Sequence, residues 1–473
     1  MISLLLGCVL NFVAVPQQSL ESLISKVDNE RALELSVMVQ KLDGEVLFSH
    51  KPQRDLTIAS NTKLFTTAAA LIELGADFRW QTKVLLDGNN LAIVGGGDPS
   101  LAKFEDKDFA QLFIIELLQT LRSSSVSHVD SLYIDASAFD EQRHPLWPLE
   151  HRYDYFCAPP TALSVNSGCI DIDYDGAKAL FYPPLVPSVN VRYYGKTSKF
   201  LSAWWADNGA TLWVRTSPGK KQVAKYAVPD GVQFFGWWVH DQLELAGIKV
   251  GQVVVQRMPE TATQKLILDY SSALSLADVV LEINKESNNF MAEMVLKTLG
   301  AKKLEVGSYA NGASAIKEIL SGILPNITQL SQLDGSGMAR SSVVNNVASP
   351  QLLCELLREM CFMPVGEQWF ESLAIGGVDG TLSNRFLDAA FHPQRIHAKT
   401  GFIQSKQSSD GFGASSLSGY LLLPDDQIAV FSFVVNFRRK INSNTNNRRF
   451  KSLQQQFFKQ LIEDYNNERS KNS

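Results

Sequence analysis

The sequence predicts a mixed α/β (α+β) protein with more than one domain. Three observations carry that expectation. The chain has 473 residues, past the ~250 to 300 at which a single hydrophobic core stops growing. Helix-like and strand-like runs occupy different stretches. From about residue 80 to 260 the character changes to short β-like runs between Gly, Pro and Asn-rich turns, the mark of inserted material.

Hydrophobic residues make up 45% and charged residues 20% of the chain, the balance of a globular protein rather than a disordered or membrane-embedded one. A net charge of −5 gives no reason to expect a nucleic-acid partner.

The N-terminal run MISLLLGCVLNFVAVPQQ is apolar and uncharged over about fourteen residues, too short to span a bilayer but suited to a signal-peptide core. Leu5-Leu6-Gly7-Cys8 also resembles a lipoprotein box, although few residues precede it. A misplaced start or a buried first strand are the alternatives. Export is the preferred reading, with at most peripheral membrane association.

The first folded segment reads as a hairpin, LELSVMVQKL and EVLFSHK around Asp43-Gly44, a turn pair that tolerates positive φ. A helix follows in KLFTTAAALIELG, where Leu64, Phe65, Ala68, Leu71, Ile72 and Leu74 recur at helical spacing and Gly75 is a natural stop. The inserted stretch offers TKVLLD, LAIVGGG, SLYIDAS, GCIDIDY, SVNVRYY and TLWVRT as strands. A helix in FFGWWVHDQLELAG and a strand in KVGQVVVQR mark its end.

Ser275 to Gly300 is helical again, with a Ser275/Asp278 capping pair and a polar break at NKESNN. RIHAKTGFI, SLSGYLLL and QIAVFSFVVNF are late strands, the last two joined through Pro424-Asp425-Asp426. A final amphipathic helix carries Phe450, Leu453, Phe457, Leu461 and Tyr465, and the polar tail NNERSKNS reads as disordered.

Five scattered cysteines form no C-x-x-C. Cys157 and Cys169 could pair in an oxidising compartment, whereas Cys354 and Cys361 lie too far apart along a helix for one disulfide.

Three short motifs could carry chemistry. Ser60 and Lys63 form an S-x-x-K, one of four in the chain and the one standing at the mouth of a strongly apolar helix, where i, i+3 side chains share a face and the N-terminal dipole favours negative charge. A desolvated Lys63, kept neutral by burial and a nearby cation, would take the seryl proton. The plainer reading is a surface lysine.

Ser287-Asn288-Asn289 is an S-x-N in the polar break between two helical runs, where it faces either a cleft or solvent. Lys399-Thr400-Gly401 is the chain's K-T-G, set in a strand, where glycine leaves room for a substrate backbone and the cation and hydroxyl suit a carboxylate. Alone, it equally fits an edge-strand lysine.

Other candidates read as bland. No H-E-x-x-H or G-x-S-x-G occurs, and His392 and His397 read as loop residues. Gly95-Gly96-Gly97 lacks the dinucleotide pattern, and Gly195-Lys196-Thr197 lacks the leading glycine of a P-loop. Trp204, Trp205, Trp237 and Trp238 read as core or interdomain packing rather than a sugar platform. No metal or cofactor is expected.

In order, the three motifs form the set of serine β-lactamases and penicillin-binding proteins. The chain resembles the low-molecular-mass class C penicillin-binding proteins, the DacB-type D-alanyl-D-alanine carboxypeptidase/endopeptidase family, from about residue 30 to 440. LAIVGGGDPSL, DASAFD, FCAPPTALSVN, DGSGMAR, GGVDGTLSNRF and SLSGY add to the likeness.

The resemblance implies a serine β-lactamase/transpeptidase-like domain. Its antiparallel sheet would join the N-terminal hairpin to the three late strands beside a helical cluster, interrupted by inserted β-rich domains. The implied division is a signal segment at 1–16, a discontinuous catalytic domain at 17–80 and 262–473, an inserted domain at 81–168 and 224–261, and a nested β-rich domain at 169–223.

It further implies Ser60 as nucleophile, Lys63 as general base, Ser287 as proton relay to the leaving amine, and Lys399 keeping Lys63 neutral. The amides of Ser60 and Phe402 would form the oxyanion hole. Asn289, Thr400, Gly401, Phe402 and Arg340 would bind substrate: Asn289 the peptide amides, Thr400 the terminal carboxylate and Arg340 an acidic stem-peptide group. The implied partners are peptidoglycan stem peptides, with β-lactams as inhibitors, in the periplasm or another extracytoplasmic space. The alternatives are a β-lactamase or esterase, and a silent peptidoglycan-binding protein.

Three features depart from the family pattern: Phe402 after the K-T-G, Asn288 inside the S-x-N, and a long link over 401–416.

Overall fold

The computed structural model describes residues 20–104, 106–140, 143–185, 189–194, 201–206, 209–216, 219–341, 343–391, 395–404, 411–438 and 443–472. The expected signal segment, Cys8, His392 and the middle of the long link lie outside the described residues.

A six-stranded antiparallel sheet joins the two ends of the chain. Its order is Ala374–Ile375, Ile396–Gln404, Phe412–Leu422, Ile428–Arg438, Leu33–Lys41, Val46–His50. The hairpin turns at Gly44 with φ 99, where Asp43 Oδ1 accepts from the Glu45 amide at 3.0 Å.

The central strands are buried on both faces, so their apolar residues run continuously rather than alternate. One face packs on helices Leu20–Asp28 and Ser443–Asn472 through Ile24, Val27, Phe450, Phe457 and Leu461. The other packs on a cluster of helices around Thr62–Leu74, Leu276–Lys285, Asn289–Leu304, Tyr309–Leu320 and Pro350–Met360. The last helix continues through the tail expected to be disordered. Arg469 reaches Asp425 at 2.7 Å and Tyr465 donates to the same carboxylate at 2.9 Å, so the acidic turn holds the helix end down.

The inserted stretch forms a five-stranded sheet in the order Lys249–Val254, His128–Asp135, Asn90–Val94, Gln81–Asp87, Lys265–Ser271, covered by helices Phe109–Ser123 and Gly231–Leu245. Two three-stranded sheets adjoin it: Ala179–Tyr182, Cys169–Tyr174, Gln222–Ala227, and Asn190–Tyr193, Thr211–Arg215, Ser202–Ala206. Strand pairing crosses two expected seams. Gln222–Ala227 pairs along Cys169–Tyr174, so the seam after residue 223 would cut a strand. Lys265–Ser271 pairs with Gln81–Asp87, so the inserted sheet extends past residue 262.

Trp205 and Trp238 are core residues, as expected. Trp204 instead lies on the outward face of its sheet, parallel to Trp213 at 6.1 Å. Cys157 and Cys169 are both free and sit in different surroundings: Cys157 beside Met338 at 3.4 Å, Cys169 against the Ser167 carbonyl at 3.4 Å. Burial pushes both thiols up to about 12, so they stay protonated. His397 is in the strand Ile396–Gln404 rather than a loop, its ring stacked on Phe370 at 4.5 Å.

Candidate active site

Ser60 stands in the single turn Ala59–Asn61 that opens helix Thr62–Leu74. Ala59, just before it, holds φ 47, a left-handed conformation that a non-glycine residue keeps only when its surroundings enforce it. Those surroundings are visible. Asn61 Nδ2 donates to the Lys399 carbonyl at 2.8 Å and its Oδ1 accepts from Ser418 at 2.9 Å, while Ser416 Oγ donates to the Ile58 carbonyl at 2.7 Å. The turn is thereby tied to the central strands.

Two glycines permit this approach. A Cβ on Gly401 would stand 2.2 Å from Ser416 Oγ and 3.0 Å from the Ser60 amide nitrogen, and one on Gly337 would stand 1.9 Å from the Ala59 carbonyl. The room that Gly401 leaves is therefore filled by the Ser60 backbone, a different use from the substrate approach the motif suggested.

Lys63 is fully buried, contrary to the surface reading. Its Nζ lies 3.2 Å from Ser60 Oγ, 2.7 Å from Asn289 Oδ1 and 3.0 Å from the Ser336 carbonyl. Three acceptors satisfy the three N–H groups of an ammonium, and the neutral amine instead accepts from the Ser60 hydroxyl. Burial lowers the Lys63 amine to about 8, against the opposing pull of Glu293 and Asp334.

Lys399, also fully buried, donates to the Thr400 carbonyl at 3.0 Å, and its amine is held well below the usual range by burial and then by repulsion from Lys63. For Lys63 itself burial is the leading cause of the lowering. Thr400 donates to Thr381 at 2.9 Å. Beyond Ala398, where the short strand Ala374–Ile375 stops pairing, the outer edge of the Lys399 strand has no strand partner among the described residues.

Ser287 lies at the break between helices Leu276–Lys285 and Asn289–Leu304, half-buried with φ 61. Its side chain makes no hydrogen bond to Ser60, Lys63 or Lys399 among the described residues. Asn288 caps the second helix by accepting from Met291 N at 3.1 Å. Asn289 has both polar atoms engaged, with Nδ2 donating to the Phe156 carbonyl at 3.1 Å. The structure thus brings Ser60, Lys63 and Asn289 together directly and leaves Ser287 alongside.

A cavity of about 440 Å³ opens over Ser60, lined also by His151, Asp154, Tyr155, Asn289, Arg340 and Phe402. Arg340 donates to the Met338 carbonyl at 3.1 Å. Phe402 lines the cavity and stacks on Phe437 at 6.2 Å.

Sequence reasoning singled out DGSGMAR as a marker and missed what it does. Asp334 accepts from the amides of Gly337, Met338 and Ala339 and from Trp147 Nε1, and Glu293 accepts from the amides of Gly335 at 2.6 Å and Ser336 at 2.9 Å. The signal available was Asp334 set beside Gly335 and Gly337 in a short polar stretch.

An antiparallel sheet packed against a helical cluster, with a serine and a buried lysine at the mouth of a helix beside the sheet, defines a protein of the serine β-lactamase/transpeptidase-like fold. The model of the D-Ala-D-Ala carboxypeptidase 3 (S13) family matches residues 17–457, and the chain belongs to that family of peptide hydrolases.

It is 28% identical over 457 residues to a D-alanyl-D-alanine carboxypeptidase of Actinomadura sp. (strain R39), covering 89% of this chain and 80% of that protein. It is 24% identical over 400 residues to D-alanyl-D-alanine carboxypeptidase DacB of Haemophilus influenzae, covering 78% of this chain and 80% of that one. The crystal structure of penicillin binding protein 4 (dacB) from Haemophilus influenzae superposes with a TM-score of 0.74 at 20% identity, covering 95% of this chain and 98% of that one. That structure shares the fold, including the inserted part, in line with the resemblance read from the motifs.

Proposed function

We propose that the protein is a serine-type enzyme that cleaves D-alanyl-D-alanine, and D-alanyl-diaminopimelate cross-links, in peptidoglycan through an acyl-enzyme, outside the cytoplasm. The observation that carries this reading is the fully buried Lys63 amine, lowered by burial, 3.2 Å from Ser60 Oγ. No helix among the described residues is long and apolar enough to cross a membrane.

In the proposed reaction Ser60 Oγ attacks the carbonyl carbon of the penultimate D-alanine and its proton passes to Lys63 Nζ. The amides of Ser60 and Phe402 receive the oxyanion, at ~3 kcal/mol per donor. The C–N bond breaks, and the leaving amine takes the proton back from Lys63 through Ser287, which substrate must draw into the relay. Water then attacks the ester and gives a proton to the same base, which returns it to Ser60 Oγ as the ester C–O bond breaks and the acid leaves.

The unpaired edge of the Lys399 strand supports an extended substrate lying along it. The Lys399 amine and the Thr400 hydroxyl suit the terminal carboxylate as hydrogen-bond donors. Asn289 meets the peptide amides only by exchanging a present partner. Arg340 takes an acidic group of the stem peptide, and the inserted domains supply the far wall of the cavity through His151, Asp154 and Tyr155.

A fluorescent penicillin tests the reading. A persistent covalent label that disappears in Ser60→Ala is expected. Rapid loss of label would point to a β-lactamase, and an unlabelled wild type would overturn the acyl-enzyme. Release of D-alanine from a pentapeptide, against cleavage of a cross-linked dimer, separates the two peptidase activities.

A further inference from the structure

Glu293 is a buried carboxylate with no part in the reaction above. It sits on helix Asn289–Leu304, one turn after Asn289, and is fully buried. Both of its oxygens accept backbone N–H groups, from Gly335 at 2.6 Å and Ser336 at 2.9 Å. The carbonyl of that same Ser336 accepts from Lys63 Nζ at 3.0 Å. One side chain therefore holds the loop that presents an acceptor to the base.

We propose that Glu293 is the positioning residue for Lys63, fixing the Ser336 carbonyl against its amine and supplying the negative charge that receives the ammonium when Lys63 takes the proton of Ser60. The inference rests on the acyl-transfer reading of Ser60 and Lys63.

The surrounding charges support it. Asp334, the other buried carboxylate whose charge reaches Lys63, is committed to three backbone amides and Trp147. The other titratable groups around this acid pair are the Tyr309 hydroxyl, raised by burial and then by the Glu293 and Asp334 charges, His144, lowered by burial against the pull of Asp334, and Lys297, paired with Asp140 at 2.5 Å. Lys399 faces Lys63 from the sheet side.

Burial and the Asp334 charge raise the Glu293 carboxyl, but both of its oxygens accept backbone N–H groups and Lys63 lies nearby, so the geometry is that of the ionised form. An ionised Glu293 makes Lys63 hold its proton more tightly, so the pH at which the base becomes available is set in part by this residue.

The test is the pH profile of acylation by a fluorescent penicillin in wild type, Glu293→Gln and Glu293→Asp. In Glu293→Gln the acidic limb is expected to move toward lower pH by about one unit or more, with a lower plateau because the amine is a weaker base. Glu293→Asp keeps the charge and the limb stays near its wild-type position. A lower plateau with an unmoved limb in Glu293→Gln would overturn the proposal, leaving a structural role only.

A double-mutant cycle of Glu293→Gln and Lys63→Met, read as melting temperatures, decides the matter independently of activity. The paired variant is expected to lose less than the two single variants together, and additive losses would overturn the inference even if wild type were acylated. A wild type that takes no label, with non-additive melting shifts, would sink the acyl-enzyme reading and leave the Glu293–Lys63 coupling standing. If Glu293→Gln does not fold, recovery of folded protein in the Lys63→Met background supports the coupling and failure in both overturns it.

Discussion

The six-stranded sheet and the small sheet Asn190–Tyr193, Thr211–Arg215, Ser202–Ala206 are built on opposite plans. The first is sealed on both faces, and the polar groups within it, such as Ser416, Ser418, Ser432 and Asn436, are hydrogen-bonded across strands or to the Thr57–Asn61 segment. The second buries one face and turns Tyr194, Trp204 and Trp213 outward, with Arg192 over Trp213 and Arg215 over Tyr194.

Buried polar groups persist only when paired, so the sealed sheet dictates where Ser60 sits, while the open sheet dictates little beyond its own shape. The proposed chemistry is thus built by one region and the cavity wall by another. Beside the site they are joined by the hydrogen bonds from Asn289 to the Phe156 carbonyl and from Trp147 to Asp334.

If that contrast holds, substitutions near the sealed sheet change acylation steeply and those in the inserted part do not. Lys63→Met is expected to have the largest effect, a fall in penicillin acylation of roughly 10²- to 10⁴-fold, the range of a positioned general base. Stopped-flow labelling measures it, and a loss under tenfold would remove Lys63 from the role of base.

Gly401→Ala comes next. Its Cβ would meet Ser416 Oγ at 2.2 Å and the Ser60 amide at 3.0 Å, so the strand or the serine turn must shift. A displacement approaching 1 Å costs about 10²-fold. Gly219→Ala is the matched control in the inserted part: it has φ 75 and nothing within 4 Å of the added Cβ, so it costs about 1 kcal/mol of stability and leaves acylation unchanged. Equal effects from the two would break the comparison.

The boundary between the regions gives an intermediate case. Trp147→Phe removes an N–H from a buried carboxylate acceptor at 2.9 Å, at about 1.5–3 kcal/mol. Asp334 keeps its three backbone donors, so acylation falls only a few-fold while the melting temperature drops.

What the sequence disclosed follows the same division. Ser60, Lys63 and Lys399 were legible because their spacing is local and the helix and strand carrying them have clear apolar patterns. Asn61 was not, since its partner Lys399 lies 338 residues away and nothing local marks the contact. Glu293 was hidden likewise, a carboxylate in an apolar helix whose backbone partners lie 42 and 43 residues on.

In the inserted part, the apolar spacing of Phe113, Ile114, Leu117 and Leu121 behind the cap Asp108 was readable. The β-like runs around helix Phe109–Ser123 masked it. Strand Lys265–Ser271 escaped because it is an edge strand of mostly half-exposed or exposed residues, with no clean alternation.

No effect on acylation is expected at Asp98 either, and it separates stability from chemistry. Asp98 is buried in the inserted part, with Oδ1 accepting from the Ser100 amide at 2.7 Å and its hydroxyl at 2.6 Å, and Oδ2 without a partner. Burial raises the carboxyl from 3.8 to about 6. The folded state thus binds the proton more tightly than the unfolded chain, and stability falls as pH rises between those two values.

Above about pH 6 the charged side chain costs on the order of 3 kcal/mol. Asp98→Asn keeps the acceptor for Ser100 and removes the charge. It is expected to raise the melting temperature at pH 7.5 and to lose that advantage below about pH 4, with penicillin labelling unchanged throughout. A stabilisation that persists at low pH would mean that Asp98 is costly for its shape rather than its charge. A change in labelling would mean that the inserted part reaches the serine more directly than its contacts at Asn289 and Asp334 suggest.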